Sequence, residues 1–338
     1  MTQKNNIWGM VLAGGEGTRV QSFLAQACGG KGIKQFCTII GSRSMLQHSI
    51  ARAAQLIPRD QILVSLNSNH RREAIEQLSD LPLKNLVFQP ANLDTAPGIL
   101  LPLAHISMRD PDAVVAVFPS DHFVANEEKF MAQVEAALEE LHYFPDALIL
   151  LGVTPDGVDD GYGWIEPDEK TAGRAAIGVR GFWEKPDPAA ARRLKLKGCL
   201  WNTFVFVVRA ATLWDMVSNA APQLSHTFWN MRLMVDSIHS RSFVEHCYRC
   251  LQPVNFSSTI LAHARPRLKV LPVPKVGWSD WGTQERILAS LEAIGRLDEF
   301  LQRARSARPA EFKKVVRRAE PISRGFAPHS RAADQSPS

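Results

Sequence analysis

The chain has 338 residues, 45% of them hydrophobic and 22% charged, which is typical of a globular protein with a well-buried core. The net charge of +5 comes from residues 303–338, which hold nine Lys and Arg against three Asp and Glu. The remaining body carries a charge of about −1, which argues against nucleic-acid binding. There is no apolar run of about 18 residues and no signal-like N-terminus, so we expect no membrane contact and a cytoplasmic location.

The charge and proline distribution predicts two regions. Residues 303–338 contain Pro309, Pro321 and Pro328 and end in a Ser/Ala-rich stretch, which predicts a basic, disordered tail. Residues 1–302 read as one mixed α/β domain, with a first half of about 1–150 and a second half of about 151–302.

Hydrophobic patterns predict alternating strands and helices. The apolar stretch 7–12 predicts a buried strand that breaks into a glycine-rich loop, and the continuous apolar run 113–118 predicts a central parallel strand. This alternation predicts an α/β sheet that is parallel in its first half. The other predicted elements, in chain order, are helix 45–56, strands 61–65 and 86–88, helix 98–106, a helix around 130–141, strands 147–153 and 203–208, helices within 210–240, strand 268–273 and a closing helix 284–301.

The glycine-rich loop at residues 12–19 lies at the end of the first strand, where open α/β sheets bind ligands. Glycines expose backbone N–H groups to phosphate, and a following helix N-terminus favours negative charge. The loop does not fit a Walker A motif. Nor does it fit a dinucleotide fingerprint, because residues 17–59 contain six Lys and Arg but no Asp or Glu to bind a ribose. The positive charge of these six residues suits a triphosphate. A glycine turn that binds no ligand remains an alternative.

Six segments stand out in chain order: residues 14–19 with 34–36, 118–122, 160–167, 184–186, 201–204 and 278–283. The same segments occur in this order in sugar-1-phosphate nucleotidyltransferases, and the chain resembles that family over residues 7–290. Lys34-Gln35-Phe36 is most similar to the mannose-1-phosphate guanylyltransferase branch. The resemblance implies a Rossmann-like three-layer α/β/α fold (glycosyltransferase-A-like) with a mixed, mainly parallel central sheet.

The resemblance implies a reaction in which a sugar 1-phosphate attacks the α-phosphorus of GTP and pyrophosphate is released. The similarity to the guanylyltransferase branch implies that this sugar phosphate is mannose 1-phosphate. Asp121 follows the predicted strand 113–118, and Asp280 is expected to follow the predicted strand 268–273. The resemblance implies that both bind Mg²⁺ or another divalent cation, which prefers carboxylate oxygens. Arg19 and Lys34 would be catalytic, stabilising charge on the triphosphate. The residues implied to bind the nucleotide are Leu12, Ala13, Gly14, Gly15, Gly17, Thr18, Gln89, Asn92, Thr95, Ala96 and Ser120.

On the sugar side, the resemblance implies close backbone approach at Gly163, hydroxyl binding by Glu184 and Asn202, and phosphate binding by Lys185. Without the motif, Glu184-Lys185 would read as a solvated pair. We interpret His122 as structural, because the attacking phosphate is already anionic and needs no base. The expected partners are GTP and a sugar 1-phosphate, without nucleic acid or membrane. The sequence leaves the oligomeric state open, with a homodimer as one option.

The stretch 20–33 departs from the family pattern. Ile33 stands where the family carries Pro, further Arg residues are missing, and Gly29, Gly30 and Gly32 predict a mobile loop with a larger ordering entropy. We expect Lys31 to supply part of the missing charge. The departure supports an alternative: a weakly active or non-catalytic paralogue that binds nucleotide sugars. A nucleotidyltransferase for another NTP or sugar 1-phosphate is a further alternative. The C-terminal extension of bifunctional relatives is missing, so we expect no isomerase activity.

Overall fold

The computed structural model describes residues 6–168, 174–235, 237 and 239–307. A nine-stranded sheet with the order β3-β2-β1-β4-β9-β6-β10-β8-β7 forms its centre, and β5 and β11 form a separate two-stranded sheet. The strands are β1 Ile7–Ala13, β2 Ile62–Asn67, β3 Leu86–Gln89, β4 Val114–Pro119, β5 Phe123–Val124, β6 Leu148–Val153, β7 Gly163–Asp168, β8 Ile177–Glu184, β9 Leu200–Arg209, β10 Leu268–Val273 and β11 Trp278–Ser279.

Helices connect most of these strands, several of them with clear N-terminal caps. Ser44 and Gln47 form a capping box at the start of α2, and Asp187 precedes a proline in the first turn of α6. The helices are α1 Thr18–Cys28, α2 Met45–Ala53, α3 Arg71–Gln77, α4 Thr95–Arg109, α5 Glu127–Glu140, α6 Pro188–Leu196, α7 Ala210–Ala220, α8 Pro222–Arg232, α9 Ser240–Cys250, α10 Gln284–Ala293 and α11 Leu297–Ala307.

The sheet confirms the predicted mixed, mainly parallel α/β architecture of its first half. β1 pairs in parallel with both β2 and β4, and β2 pairs in parallel with β3. β9 then runs antiparallel between β4 and β6, and β10 lies parallel to β6. The parallel strands are buried on both faces, which explains their continuous apolar sequences. Their carboxyl ends meet at one edge, where the candidate site lies.

Helices pack on both faces of the sheet through buried side chains, so the fold has three layers. One cluster packs α2 and α5 against one face, and a second packs α4, α7 and α8 against the other. A third cluster joins α1 to α10 and α11, with Phe23 and Phe300 in ring contact at 6.1 Å. The C-terminal helices therefore hold the helix that follows the glycine loop.

Three sequence predictions are corrected by the structure. The closing helix 284–301 is two helices, because the chain turns at Gly295 with a φ of 68°. α11 runs to Ala307, past the predicted boundary at residue 302, while residues 308–338 of the predicted tail lie outside the described residues. Asp280 follows β11 directly, not β10.

Among the described residues, every helix is too short or too polar to cross a lipid bilayer.

Candidate active site

An open cleft of about 410 Å³ lies at the carboxyl ends of β1 to β4 and extends to β7, β8 and β9. It brings together residues from both predicted halves of the chain, although they are far apart in sequence. The predicted site residues that line it are Leu12, Gly14, Gly15, Gly17, Arg19, Gln89, Asn92, Thr95, Ser120, Asp121, Gly163, Glu184, Lys185, Asn202 and Asp280.

The glycine loop ends where α1 begins, and its backbone is prepared for an anion. Gly17 precedes the helix with a φ of 61° and gives no side-chain cap, so the first N–H groups of α1 lack a side-chain acceptor. Gln35 holds the loop in place, since its Nε2 donates to the carbonyl oxygens of Ala13 at 3.1 Å and Gly15 at 2.6 Å. The Lys-Gln-Phe segment thus has a structural role that the sequence analysis missed.

Gln89 forms the floor of the cleft beside the glycine loop. Its Nε2 donates to Ser65 Oγ at 3.1 Å, and its Oε1 accepts from the Tyr248 hydroxyl at 3.5 Å. A Cβ on Gly14 would lie 2.5 Å from Gln89 Nε2, so only glycine fits there. The amide is therefore held in one orientation, which suits the reading of a base edge by hydrogen bonds.

A second segment, residues 254–257, closes over the start of α4. Asp94 has a φ of 69° and accepts from the Thr95 N–H at 2.6 Å. Asn255 Nδ2 donates to Asp94 Oδ1 at 3.2 Å, and the Phe256 N–H donates to Thr95 Oγ1 at 2.8 Å. Asn255 and Ser257 consequently line the cleft at this end.

Two aspartates line the centre of the cleft, and a lysine lies behind them. Lys34 Nζ lies 2.9 Å from Asp121 Oδ2 and also donates to the backbone carbonyl of Asp280. Asp280 Oδ1 accepts from Arg286 at 2.7 Å, and Asp280 Oδ2 lies 3.9 Å from Arg19. Asp121 lies between β4 and β5, and Asp280 follows β11, which pairs with β5, so the two-stranded sheet brings both carboxylates together.

The charges around these aspartates keep both ionised. Burial disfavours the charged form of Asp121, but the charge and hydrogen bond of Lys34 together with His122 outweigh burial and hold the pKa of Asp121 below its usual value. Burial likewise opposes ionisation of Asp280, and His122, Arg286 and Lys34 together lower its pKa. Burial lowers the pKa of His122 to about 4, so His122 is neutral at pH 7.

The donor set fits a hard divalent cation that takes further ligands from substrate. Two ionised carboxylates face the same cleft, and the described residues contain no cluster of three or more His, Cys, Asp or Glu that could enclose a metal. Mg²⁺ commonly binds through one or two carboxylates and completes its shell with water and phosphate oxygens. The site suits a metal that arrives with a nucleotide.

The opposite end of the cleft is built by β7, β8 and β9. A Cβ on Gly163 would lie 3.1 Å from Glu184 Oε2 and 3.3 Å from Asn202 Cβ, so glycine makes room for both side chains. Lys185 has a φ of 47°, and its Nζ lies 3.3 Å from Glu184 Oε1 with the side chain largely exposed. A carboxylate, an amide and an ammonium therefore converge, a set that suits hydroxyls and a phosphate.

Some predicted residues do not line the cleft. Lys34 is only 3% exposed and lies behind the aspartates, which places it further from a triphosphate than we expected. The predicted nucleotide-binding residues that also lie outside the lining are Ala13, Thr18 and Ala96.

Lys31 does not line the cleft, and its Nζ pairs with Glu73 Oε1 at 2.7 Å. Its contribution to the charge around a triphosphate stays a prediction. The neighbouring Gly32 has a φ of 66°, and a Cβ there would collide with the carbonyl oxygen of Gln21. The Gly29–Gly32 turn is thus folded against α1.

The cleft also contains residues that the sequence analysis did not assign to it. Tyr162 and Trp278 lie within the segments 160–167 and 278–283, so these motifs could have indicated them. Asn255 and Ser257 are about 160 residues from the segment they cover, and no local pattern marks them. The lining residues that were missed are Gln35, Ser65, Asp94, Gly98, Pro119, His122, Gly161, Tyr162, Phe204, Asn255, Ser257 and Trp278.

Comparison with known proteins gives several curated relatives. The xanthan biosynthesis protein XanB of Xanthomonas campestris pv. campestris (strain B100) is 31% identical over 219 residues, which cover 64% of this chain and 45% of the relative. A mannose-1-phosphate guanylyltransferase of Salmonella muenchen is 28% identical over 284 residues, covering 81% of this chain and 57% of the relative. The chain thus spans about half the length of the curated relatives it matches.

Solved structures share the fold. A Thermus thermophilus structure described as a mannose-1-phosphate geranyltransferase superposes with a TM-score of 0.73 at 23% identity, covering 85% of this chain and 79% of that one. A UDP-glucose pyrophosphorylase from Acinetobacter baumanii gives 0.52 at 16% identity, covering 88% and 98%. The family model for nucleotidyl transferases matches residues 8–295. The cleft therefore lies within the matched region, and the chain belongs to the nucleotidyl transferase family.

Proposed function

We propose that the chain is a mannose-1-phosphate guanylyltransferase, which converts GTP and mannose 1-phosphate into GDP-mannose and pyrophosphate. The observation that carries the proposal is the continuity of one cleft. The glycine loop and Gln89 form one end of the cleft, and Asp121 and Asp280 form the middle. Glu184, Lys185 and Asn202 form the other end. This order matches a triphosphate and base at one end and a sugar phosphate at the other.

The reaction needs two polyanions held in line, so positioning and charge neutralisation dominate catalysis. The N-terminus of α1 would hold the triphosphate, and the 60% exposed side chain of Arg19 can move onto the leaving pyrophosphate. Lys185 would hold the phosphate of the sugar. An oxygen of that phosphate attacks the α-phosphorus, and the bond to the β-phosphate bridging oxygen breaks. The attacking group is already anionic, so the neutral His122 is not required as a base.

Asp121 and Asp280 would hold Mg²⁺, which when bound neutralises charge on the phosphates. Lys34 stabilises both aspartates in their ionised form and adds positive charge below the transferring phosphate. Arg19 lies 3.9 Å from Asp280 and can release it for the triphosphate.

The choice of guanine and mannose is supported by the relatives described as mannose-1-phosphate guanylyltransferases, among them that of Escherichia coli (strain K12), 29% identical over 229 residues. The fixed amide of Gln89 and the side chain of Asn255 offer both donors and acceptors to a base edge. Glu184 and Asn202 offer acceptors and a donor to sugar hydroxyls.

A matrix of nucleoside triphosphates against sugar 1-phosphates, with Mg²⁺ and a readout of pyrophosphate release, tests the proposal. We expect the highest kcat/KM for GTP with mannose 1-phosphate, and loss of release in Asp121→Ala. Release no faster than in Asp121→Ala for every pair would contradict the proposal. GTP binding without release would identify a non-catalytic binding protein instead.

A further inference from the structure

Arg286 joins the two halves of the site from behind the cleft wall. It lies on α10, its side chain is 17% exposed, and it does not line the cleft. NH1 donates to Asp280 Oδ1 at 2.7 Å, and NH2 donates to both carboxylate oxygens of Asp159 at 2.5 Å. The guanidinium carbon also lies 4.1 Å from the ring centroid of Tyr162. One planar group thus contacts the middle of the cleft and the loop that leads to its sugar side.

These contacts fix the orientation of Asp280. Its Oδ1 accepts from Arg286 and from the Gly282 N–H at 2.8 Å, so both of its main acceptor directions are used. Oδ2 remains for a cation, with Arg19 as its charged neighbour at 3.9 Å. A Cβ on Gly282 would lie 2.5 Å from Oδ2, which explains the glycine there.

The same guanidinium fixes the loop before β7. Asp159 Oδ1 also accepts from the Gly161 N–H at 2.8 Å, and the Asp159 carbonyl accepts from Trp164 Nε1 at 2.9 Å. A Cβ on Gly161 would lie 2.9 Å from Arg286 NH2, so the close ion pair requires glycine. Gly161 and Tyr162 line the cleft, so the position of Arg286 determines the shape of its sugar side.

We propose that Arg286 is a positioning residue that orients Asp280 toward the metal and ties to it the 159–163 loop on the sugar side. The sugar-side half of this inference rests on the proposed function. A lysine cannot replace the arginine, because its ammonium lacks the planar fork that reaches two carboxylates at once. Burial disfavours the charged form of Arg286, but the hydrogen-bonded carboxylates of Asp280 and Asp159 favour it and its pKa is raised, so Arg286 stays charged.

Three variants test the inference: Arg286→Met, Arg286→Lys and Asp159→Asn. Arg296→Met is the matched control, because Arg296 is exposed and pairs only locally with Glu299. Mn²⁺ affinity in the presence of GTP is measured by electron paramagnetic resonance. Thermal unfolding, kcat and the KM of each substrate are measured in parallel.

We expect Arg286→Met to weaken Mn²⁺ affinity about tenfold or more, as loss of a group that orients a metal ligand does. Arg286→Lys is expected to recover little of it. Asp159→Asn keeps Arg286 on Asp280, so Mn²⁺ affinity stays near the wild-type value. Its KM for mannose 1-phosphate rises severalfold while its KM for GTP is unchanged. Arg296→Met should behave like the wild type.

If Arg286→Met binds Mn²⁺ as tightly as the wild type and only its unfolding temperature falls, Arg286 has a structural role alone. That result would overturn the inference. Failure of the wild type to bind Mn²⁺ with GTP would also overturn it. If Arg286→Met does not fold, an unchanged KM for mannose 1-phosphate in Asp159→Asn overturns the inference, and a raised one supports it. A wild type that binds Mn²⁺ and loses it in Arg286→Met, yet releases no pyrophosphate, removes the proposed function and keeps the role of Arg286 at Asp280.

Discussion

Lys34 is a nearly buried ammonium that contacts both aspartates expected to hold the metal. It is 3% exposed, pairs with Asp121 at 2.9 Å, and bonds to the backbone of Asp280. Coulomb interactions at such distances are strong away from bulk water, so the lysine offsets the mutual repulsion of the aspartates. The same charge repels a free divalent cation. The structure therefore favours metal entry together with a nucleotide.

Replacing Lys34 with Met should have opposite effects on metal binding and turnover. Mn²⁺ affinity without nucleotide should rise about tenfold, because one nearby positive charge is gone. Turnover should fall about 100-fold or more through lost charge stabilisation. Mn²⁺ titration and pyrophosphate release measure the two effects, and the exposed Lys129→Met serves as control. Weaker metal binding in Lys34→Met would contradict this account.

Gln89 offers a second test at the level of single residues. Leucine at this position has a similar size but cannot bond to Ser65 or to a base. We expect the KM for GTP to rise about tenfold, the effect of losing one or two good hydrogen bonds, with the KM for the sugar phosphate unchanged. Steady-state kinetics against the exposed Gln223→Leu measure this. Equal changes in both KM values would show that Gln89 does not contact the nucleotide.

At the scale of elements, the junction of α1 with the Gly29–Gly32 turn determines where Lys34 lies. All three glycines of the turn have positive φ, between 66° and 79°. Gly32 is also packed against the backbone of α1, whereas a Cβ on Gly30 would meet nothing within 4 Å. Tertiary packing therefore constrains Gly32 but not Gly30, and the mobility expected from the sequence stays a prediction.

This difference predicts unequal stability losses for two identical substitutions. Gly30→Ala should lower the free energy of unfolding by about 1–2 kcal/mol, the cost of a left-handed conformation in a residue with a Cβ. Gly32→Ala adds a backbone collision and should cost about 3 kcal/mol or more. Urea denaturation of both variants measures the values. Similar losses would show that the turn does not pack against α1.

Elements with strong apolar runs were predictable, and their ends were not. Residues 113–118 and 147–153 match β4 and β6 within one residue, since strands buried on both faces have continuous apolar sequences. The predicted helix 98–106 actually begins at Thr95, where Asp94 caps it with a left-handed backbone. The short β5–β11 pair carries Asp280, and a two-residue strand leaves no periodic signal.

At the scale of the whole molecule, the chain closes on itself through α11. Phe300 is 2% exposed and packs on Phe23 of α1, and Arg303 bonds to the carbonyls of Ile39 and Gly41. The end of the described chain thus supports the helix whose N-terminus faces the cleft. Sequence motifs could predict which residues share the site, but the strand order and this closure depend on long-range packing.

Truncating Phe300 to Ala should lower the free energy of unfolding by about 3–5 kcal/mol, the usual cost of a cavity left by a buried aromatic ring. Leu196→Ala is the control, because Leu196 is 89% exposed and should cost about 0.5 kcal/mol or less. Chemical denaturation monitored by tryptophan fluorescence gives both values. A loss for Phe300→Ala no larger than the control would show that α11 does not pack on α1.

We expect this cleft to transfer the nucleotidyl group of GTP to a sugar 1-phosphate by attack at the α-phosphorus. The most direct measurement follows radiolabel from GTP labelled at the α-phosphate, incubated with mannose 1-phosphate and Mg²⁺. We expect the label in GDP-mannose and none in the released pyrophosphate. The labelled product should be lost in Asp280→Ala. Label in GMP or GDP without a sugar nucleotide, or labelled product undiminished in Asp280→Ala, would contradict it.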